Sequence, residues 1–186
     1  MIHPWKKHGH VIGYDCGFFQ VEVHESSSPV TGKKHPFYVL STRDWINVIA
    51  LTREKKVVMV TQYRHGSGDV SLEIPGGAVD PKDDSPLEAA RRELMEETGH
   101  EASEWIALGQ VQPNPAILSN VCHTFLALNA RPVAELKLDE AEELEVSFEG
   151  LEEIEKLIRE GKIQHALVIA AFHHLELFKK DNPGKI

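Results

Sequence analysis

The chain has 186 residues, enough for one ordinary domain with a modest extension on the usual scale of about 150 residues per domain. Hydrophobic residues make up 41% and charged residues 26%, a balance that excludes a disordered or fibrous chain. With 20 Lys and Arg against 29 Asp and Glu, the net charge of −9 argues against nucleic-acid binding and against an anionic membrane surface, which both need a basic face. If the substrate is itself anionic, a divalent cation must neutralise both partners locally.

Cys16 and Cys122 are the only cysteines and form no CxxC or zinc spacing, so two reduced thiols in a cytoplasmic protein are expected. No apolar run approaches the roughly 18 residues of a membrane span. The opening Met1 to Lys7 lacks the apolar core of a secretory signal. The 11 histidines are scattered and read mostly as surface or core-edge residues rather than ligands.

In chain order, Gly17 to Val23 and Phe37 to Leu40 are short β-like pieces separated by the turn-rich Ser26 to Gly32, which predicts a hairpin before the main domain. Asn47 to Leu51 and Val57 to Gln62 are denser apolar runs around the charged turn Arg53 to Lys56, so both should be buried on two faces of a sheet. Leu72 to Ile74 is a strand ending in the loop Pro75-Gly76-Gly77. An acidic helix follows. Ile106 to Gln110 and Val121 to Leu128 read as strands, with the Pro- and Asn-rich loop Gln112 to Asn120 between them. Leu138 to Glu145 is a very acidic loop leading into a strand, Glu145 to Phe148. Helices are predicted for Leu151 to Glu160, stopped by Gly161, and for about His165 to Phe178.

The chemistry concentrates between Gly76 and Gly99. Ser85-Pro86-Leu87-Glu88 is a capping box with proline at the first helical position, so a helix should run from after Ser85 to about Thr98. Leu87, Ala90 and Leu94 form its buried stripe. Placing residues at 100° intervals puts Glu93 and Glu97 side by side on the flank of that stripe, with Glu96 one step toward solvent. Like charges at this spacing destabilise a bare helix by about 0.2–0.5 kcal/mol per pair, a cost that hard divalent cations would reverse. Arg92 lies one helical turn before Glu96 and can hold that carboxylate. Taken alone, the run also fits a solvated acidic helix face.

The context decides between these readings. Gly77, Asp84 and Arg92-Glu93-Leu94-Met95-Glu96-Glu97-Thr98-Gly99 together resemble the Nudix box, G-x5-E-x7-R-E-U-x-E-E-x-G-U, with U a bulky apolar residue. The match departs at His100, which replaces an apolar residue, and at Asp84, which stands for the first box glutamate in a loop one residue longer than usual. Trp45 to Leu51, Gln62 to Gly66 and Glu73 to Gly77 are similar to ADP-ribose pyrophosphatase-type members. So are Pro115, sixteen residues after Gly99, and the acidic run Asp139 to Val146.

The resemblance implies an α/β fold, the Nudix α/β/α sandwich with a mixed sheet between helices and a small N-terminal β extension. It divides the chain into an extension over residues 1–42 and a hydrolase domain over 43–186. In similar enzymes the extension swaps onto a partner and builds the nucleotide pocket across a homodimer. The implied activity is hydrolysis of the pyrophosphate of ADP-ribose or a related nucleoside diphosphate sugar, with two or three Mg²⁺ ions, or Mn²⁺ as a substitute. The implied metal ligands are Glu93, Glu97, Glu96 and the carbonyl of Gly76, which the turn should place at the N-terminal end of the helix. In this subgroup the general base comes from the acidic loop. Glu140 is the positional match and Glu142 the alternate. Arg64 matches the arginine that contacts the substrate pyrophosphate, with Arg43 a weaker candidate. Trp45 and Phe19 compete to stack on the base, and Asn114 and Pro115 would line the site from their loop. The rival readings are a nucleoside triphosphate or dinucleoside polyphosphate hydrolase, and a Nudix-like ligand-sensing regulator. The Pro115 position and the extension argue against the first, and the retained Glu93, Glu96 and Glu97 against the second.

Overall fold

The structure, a computed structural model, describes residues 1–135, 137 and 143–186, so Glu140 and Glu142 lie outside the described residues. The chain forms two compact units, one of residues 1–43 with 112–121, the other of residues 44–111 with 122–186.

The first unit is an antiparallel meander of β1 (Lys6–Asp15), β2 (Phe19–Ser27) and β3 (Lys34–Thr42). The hairpin expected from sequence is the β2–β3 pair. Strand β1 was not expected. Its opening Lys-Lys-His-Gly-His has no apolar alternation, and it is exposed along its whole length. It exists because β2 offers a full edge of backbone donors and acceptors, which β1 follows through two register shifts. The loop over residues 112–121 joins this unit through Leu40. The Leu40 amide donates to the Ile117 carbonyl at 2.7 Å, and the Ser119 amide donates to the Leu40 carbonyl at 3.2 Å.

The second unit contains β4 (Trp45–Leu51), β5 (Lys56–Arg64), β6 (Asp69–Glu73), β7 (Gly76–Ala78), α1 (Pro86–Thr98), β8 (His100–Glu101), β9 (Glu104–Val111), β10 (Cys122–Leu128), β11 (Arg131–Pro132), β12 (Leu144–Gly150), α2 (Ile154–Arg159) and α3 (Ala166–Asp181). The main sheet runs β12-β5-β4-β10-β9, with β6 beside β5 and β7 beside β4. Strands β4 and β10 are parallel and the other pairings antiparallel, so the sheet is mixed. Strands β4 and β5 pair directly only at Leu51 and Val57. Beyond that point β6 and β7 lie along them, which carries Glu73 to Gly77 into the sheet. The Gly76-Gly77 loop expected from sequence is therefore the start of a strand.

Alternation along β4 sorts the core to both faces of this sheet. Ile46, Val48 and Ala50 pack with Ala89, Ala90 and Leu94 of α1. Ile49 and Leu51 pack with Val168, Ala171, Phe172 and Leu175 of α3 and with Ile154 of α2. This is the α/β/α sandwich. Helix α1 begins where its cap predicts. Ser85 Oγ accepts from the Glu88 amide at 3.3 Å, and Pro86 follows at the first position. It ends at Gly99 with φ 65°, where a side chain would also strike the Ala134 carbonyl. No helix among the described residues is long and apolar enough to cross a membrane.

Candidate active site

The site is built on α1 and on the β6–β7 segment that the sheet presses against it. Gly77 faces Glu93 so closely that any Cβ would collide with the Glu93 carboxylate. One turn later Glu97, only 4% exposed, accepts a hydrogen bond from the Gly76 amide at 3.0 Å. Gly76 therefore lies against the last turn of α1, not at the N-terminal end where the turn was expected to put it. The reason is that β7 pairs with β4 as part of the sheet.

Arg92 organises the cluster. Its Nη1 donates to Glu93 Oε1 at 2.8 Å and to Glu96 Oε2 at 3.0 Å. Its Nη2 donates to the Ala78 carbonyl at 3.1 Å. Its Nε and Nη2 also form a two-point bond to Asp83 at 3.1 and 2.9 Å. The Asp83 bond first, then the Glu96 and Glu93 carboxylates, hold the guanidinium charged well above its ordinary range, against the opposing effect of burial. In return Arg92 holds the Asp83 carboxyl below the usual aspartate range.

Asp83 was missed from sequence, where Asp84 was matched to the first box position. Asp84 is exposed, whereas the Asp83 side chain is 7% exposed. Asp83 follows Gly77 at the unlengthened G-x5 spacing, which moves the additional residue between Asp83 and Arg92, whereas Asp84 keeps the usual spacing to Arg92, so spacing alone fits both.

Arg64, expected at the substrate phosphates, lies at the end of β5. There its Nε and Nη2 grip Glu73 at 2.9 and 2.7 Å. Glu73 is 2% exposed, and His165 Nδ1 lies 3.2 Å from its Oε2. Burial acts to raise the Glu73 pKa, but the Arg64 hydrogen bonds first, and then the His165 ring beside them, outweigh it and leave the carboxyl far below its ordinary range. The role of Glu73 was missed. Glu73 stands between Leu72 and Ile74, but nothing local in the sequence points to His165.

Trp45 opens β4 half-buried, opposite Ala78 and Cys122. Burial pushes the Cys122 thiol up to about 12, which leaves it a neutral thiol. The other expected substrate residues belong to the first unit. Phe19 is exposed at the start of β2, and the Arg43 carbonyl accepts from Asn120 Nδ2 at 2.9 Å. Asn114 and Pro115 are exposed on their loop, where the Asn114 carbonyl accepts from the Leu118 amide at 2.7 Å. The second unit thus gathers Gly76, Gly77, Asp83, Arg92, Glu93, Glu96 and Glu97.

Glu93, Glu96, Glu97 and the Gly76 carbonyl offer oxygen donors only. That chemistry suits Mg²⁺ or Mn²⁺ rather than a softer ion, and the bare Cα of Gly77 keeps the space in front of Glu93 clear. The residues present therefore fit a hard divalent cation.

Comparison with known proteins agrees with this geometry. The NUDIX domain family matches residues 42–172. The chain is 33% identical to an ADP-ribose pyrophosphatase of Bacillus subtilis (strain 168) over 133 residues, 71% of each chain. It is 30% identical to a GDP-mannose pyrophosphatase of Cronobacter sakazakii over 142 residues, covering 70% of this chain and 72% of that one. A solved structure described as an ADP compounds hydrolase superposes with a TM-score of 0.86 over 100% of this chain and 99% of its own, at 20% identity, and so shares the fold. The chain belongs to the Nudix hydrolase family.

Proposed function

We propose that this protein is a Mg²⁺-dependent pyrophosphohydrolase of ADP-ribose and related nucleoside diphosphate sugars, releasing a nucleoside monophosphate and a sugar phosphate. The observation that carries the proposal is the Arg92-centred set of Glu93, Glu96 and Glu97 against Gly76 and Gly77. It concentrates negative charge and oxygen donors in a form that suits a cation-bound pyrophosphate. The substrate class rests on the relatives named for ADP-ribose and GDP-mannose.

Glu93, Glu96, Glu97 and the Gly76 carbonyl would hold Mg²⁺, whose chemistry there would be charge neutralisation of the pyrophosphate and a lowered pKa for the attacking water. The protein's own residues do the rest. Arg92 keeps Glu93 and Glu96 oriented, so that neither has to be ordered when the substrate arrives. The Gly76 amide fixes Glu97 in the same way. A carboxylate of residues 139–143, Glu140 or else Glu142, accepts the proton of the water as its oxygen attacks phosphorus and the bridging P–O bond breaks. Arg64, already ordered by Glu73, contributes positive charge to the phosphates, and Trp45 or Phe19 stacks on the base. Asn114 and Pro115, with Arg43, line the distal part. The exposed apolar strands of the first unit support a homodimer.

The test is kcat/KM with Mg²⁺ across ADP-ribose, GDP-mannose, UDP-glucose, NADH and dGTP. Preference for the diphosphate sugars, with ADP-ribose among the best, is expected. Preference for dGTP over all of them would overturn the reading in favour of triphosphate hydrolysis.

A further inference from the structure

We propose that His10, Glu22 and His24, on one face of the N-terminal sheet, form a binding site for a first-row transition-metal dication of the Zn²⁺ class. This site goes beyond the pyrophosphatase reading and does not depend on it.

Strands β1 and β2 pair antiparallel with His10 directly opposite His24. Directly opposed residues project to the same face, with Cβ atoms about 4.5–5.5 Å apart. Glu22 precedes His24 by two positions, and a strand has a side-chain period of 2, so it projects to that face too. The structure brings the three ligand groups together as this register demands. Their donor atoms all lie within 4.8 Å of one another, and among the described residues no other group of His, Cys, Asp and Glu does this. His24 Nε2 lies 2.5 Å from Glu22 Oε2, and His10 Nε2 lies 3.8 Å from the same oxygen. The imidazole rings are tilted, with centroids 5.4 Å apart. Glu22 and His24 are well covered, with side chains 15% and 16% exposed, and His10 at 46% leaves an approach from solvent.

The geometry is close to what an ion requires. Zinc bonds of about 2.0–2.2 Å at tetrahedral angles separate neighbouring ligand atoms by roughly 3.4 Å. The His10–Glu22 distance needs little adjustment. The His24–Glu22 contact opens as the ion replaces the proton shared between them, and that proton passes to solvent. Glu22 is already ionised. His24, chiefly, and then its other neighbours hold its carboxyl below the ordinary glutamate range, against burial. Lys7 Nζ, 3.4 Å from His24 Nε2, is displaced, and it sits on a long, exposed side chain.

The donor set also separates this site from the α1 carboxylates. Two imidazoles and one carboxylate favour Zn²⁺, Co²⁺ or Ni²⁺, whereas oxygen-only ligands favour Mg²⁺. The sequence hid the site, because Glu22-Val23-His24 gains its third ligand only through the strand register, from a β1 that carries no strand pattern.

The experiment uses the full-length, untagged, chelator-stripped protein at saturating Mg²⁺, so that the α1 carboxylates are occupied. Zn²⁺ is titrated against a competing chromogenic chelator, and Co²⁺ is followed by its visible absorption. One equivalent of Zn²⁺ should bind with release of protons. The double variant His10→Gln/His24→Gln should weaken this uptake at least as much as losing an outer partner of a metal ligand does, roughly 10–100-fold. Its Mg²⁺-supported hydrolysis and its metal-free circular dichroism should remain. Glu97→Gln should bind this zinc equivalent unchanged. If the double variant does not fold, the single His10→Gln variant, at the most exposed ligand, carries the same comparison. Absence of zinc uptake at saturating Mg²⁺, or equal uptake by the histidine variants, overturns the proposal. So does loss of the zinc equivalent in Glu97→Gln.

Discussion

Arg92 and Asp83 meet through a two-point bond, Nε to Oδ1 at 3.1 Å and Nη2 to Oδ2 at 2.9 Å, with both side chains largely shielded from water. The loop before α1 is thereby tied to the helix at the residue that also holds Glu93 and Glu96.

Asp83→Asn should therefore cost about 1–3 kcal/mol of stability, because a covered guanidinium loses the two-point member of its three carboxylate partners. Asp84→Asn, at an exposed position, should stay within about 0.5 kcal/mol. Urea melts of the two variants side by side check this, and equal effects would remove Asp83 from its role.

Glu97→Gln should abolish nearly all turnover while leaving metal-free stability intact. A glutamine oxygen can still accept from Gly76, and one like-charge repulsion with Glu93 is relieved. Retention of more than about a tenth of kcat, a barrier change under roughly 1.4 kcal/mol, would show that Glu97 is not a ligand.

Gly77→Ala should separate catalysis from folding. The added methyl meets the far end of the Glu93 side chain, which can move at little cost in stability. In moving it leaves the position set by Arg92. We expect kcat to fall by about tenfold or more and the metal-free melting midpoint to shift little. An unchanged kcat would mean that the placement of Glu93 does not matter.

The Glu73–Arg64–His165 group makes a pH prediction. Folding depresses the Glu73 carboxyl, so its contribution is fully present above the unfolded glutamate value of about 4.3 and is lost as pH falls through the folded value. Asp83 acts in the same direction. Glu73→Gln should thus be less stable than wild type at neutral pH, with the gap closing in acid. If Arg64 binds phosphate, the variant should also raise KM more than it lowers kcat. A gap that is constant with pH would contradict the ion-pair account.

Glu140→Gln should lower kcat by about 10²–10⁴-fold with KM little changed, the usual worth of a general base. A larger loss in Glu142→Gln than in Glu140→Gln would move the base by two residues.

Helix α1 could be read to the residue because its signals are local. Ser85 and Pro86 start it, Gly99 ends it, and the helix pitch alone brings Arg92 to Glu96. The near-continuous apolar run of β4 likewise announced a strand buried on both faces. What escaped depends on a distant partner. Strand β1 exists through the edge of β2, and the pairing of β8 with β11 joins His100–Glu101 to Arg131–Pro132 across β9 and β10. Asp83 was a different kind of miss. Two adjacent aspartates fitted the motif from opposite ends, and only the reach of the Arg92 side chain distinguishes them. His165 reaches Glu73 only because α3 starts beside the end of β6.

The loop over residues 112–121 leaves and rejoins the second unit at Val111 and Cys122, which are partners in the β9–β10 ladder, yet its own hydrogen bonds go to Leu40 and Arg43. The two segments of the first unit are thus mutually dependent parts encoded in separate stretches of the gene. An insertion or exchange that altered residues 1–43 alone would strand the Asn114–Asn120 loop without its backbone partners. Any lineage that reshapes one must reshape the other, so a change of specificity carried by this unit should appear as paired changes in both segments.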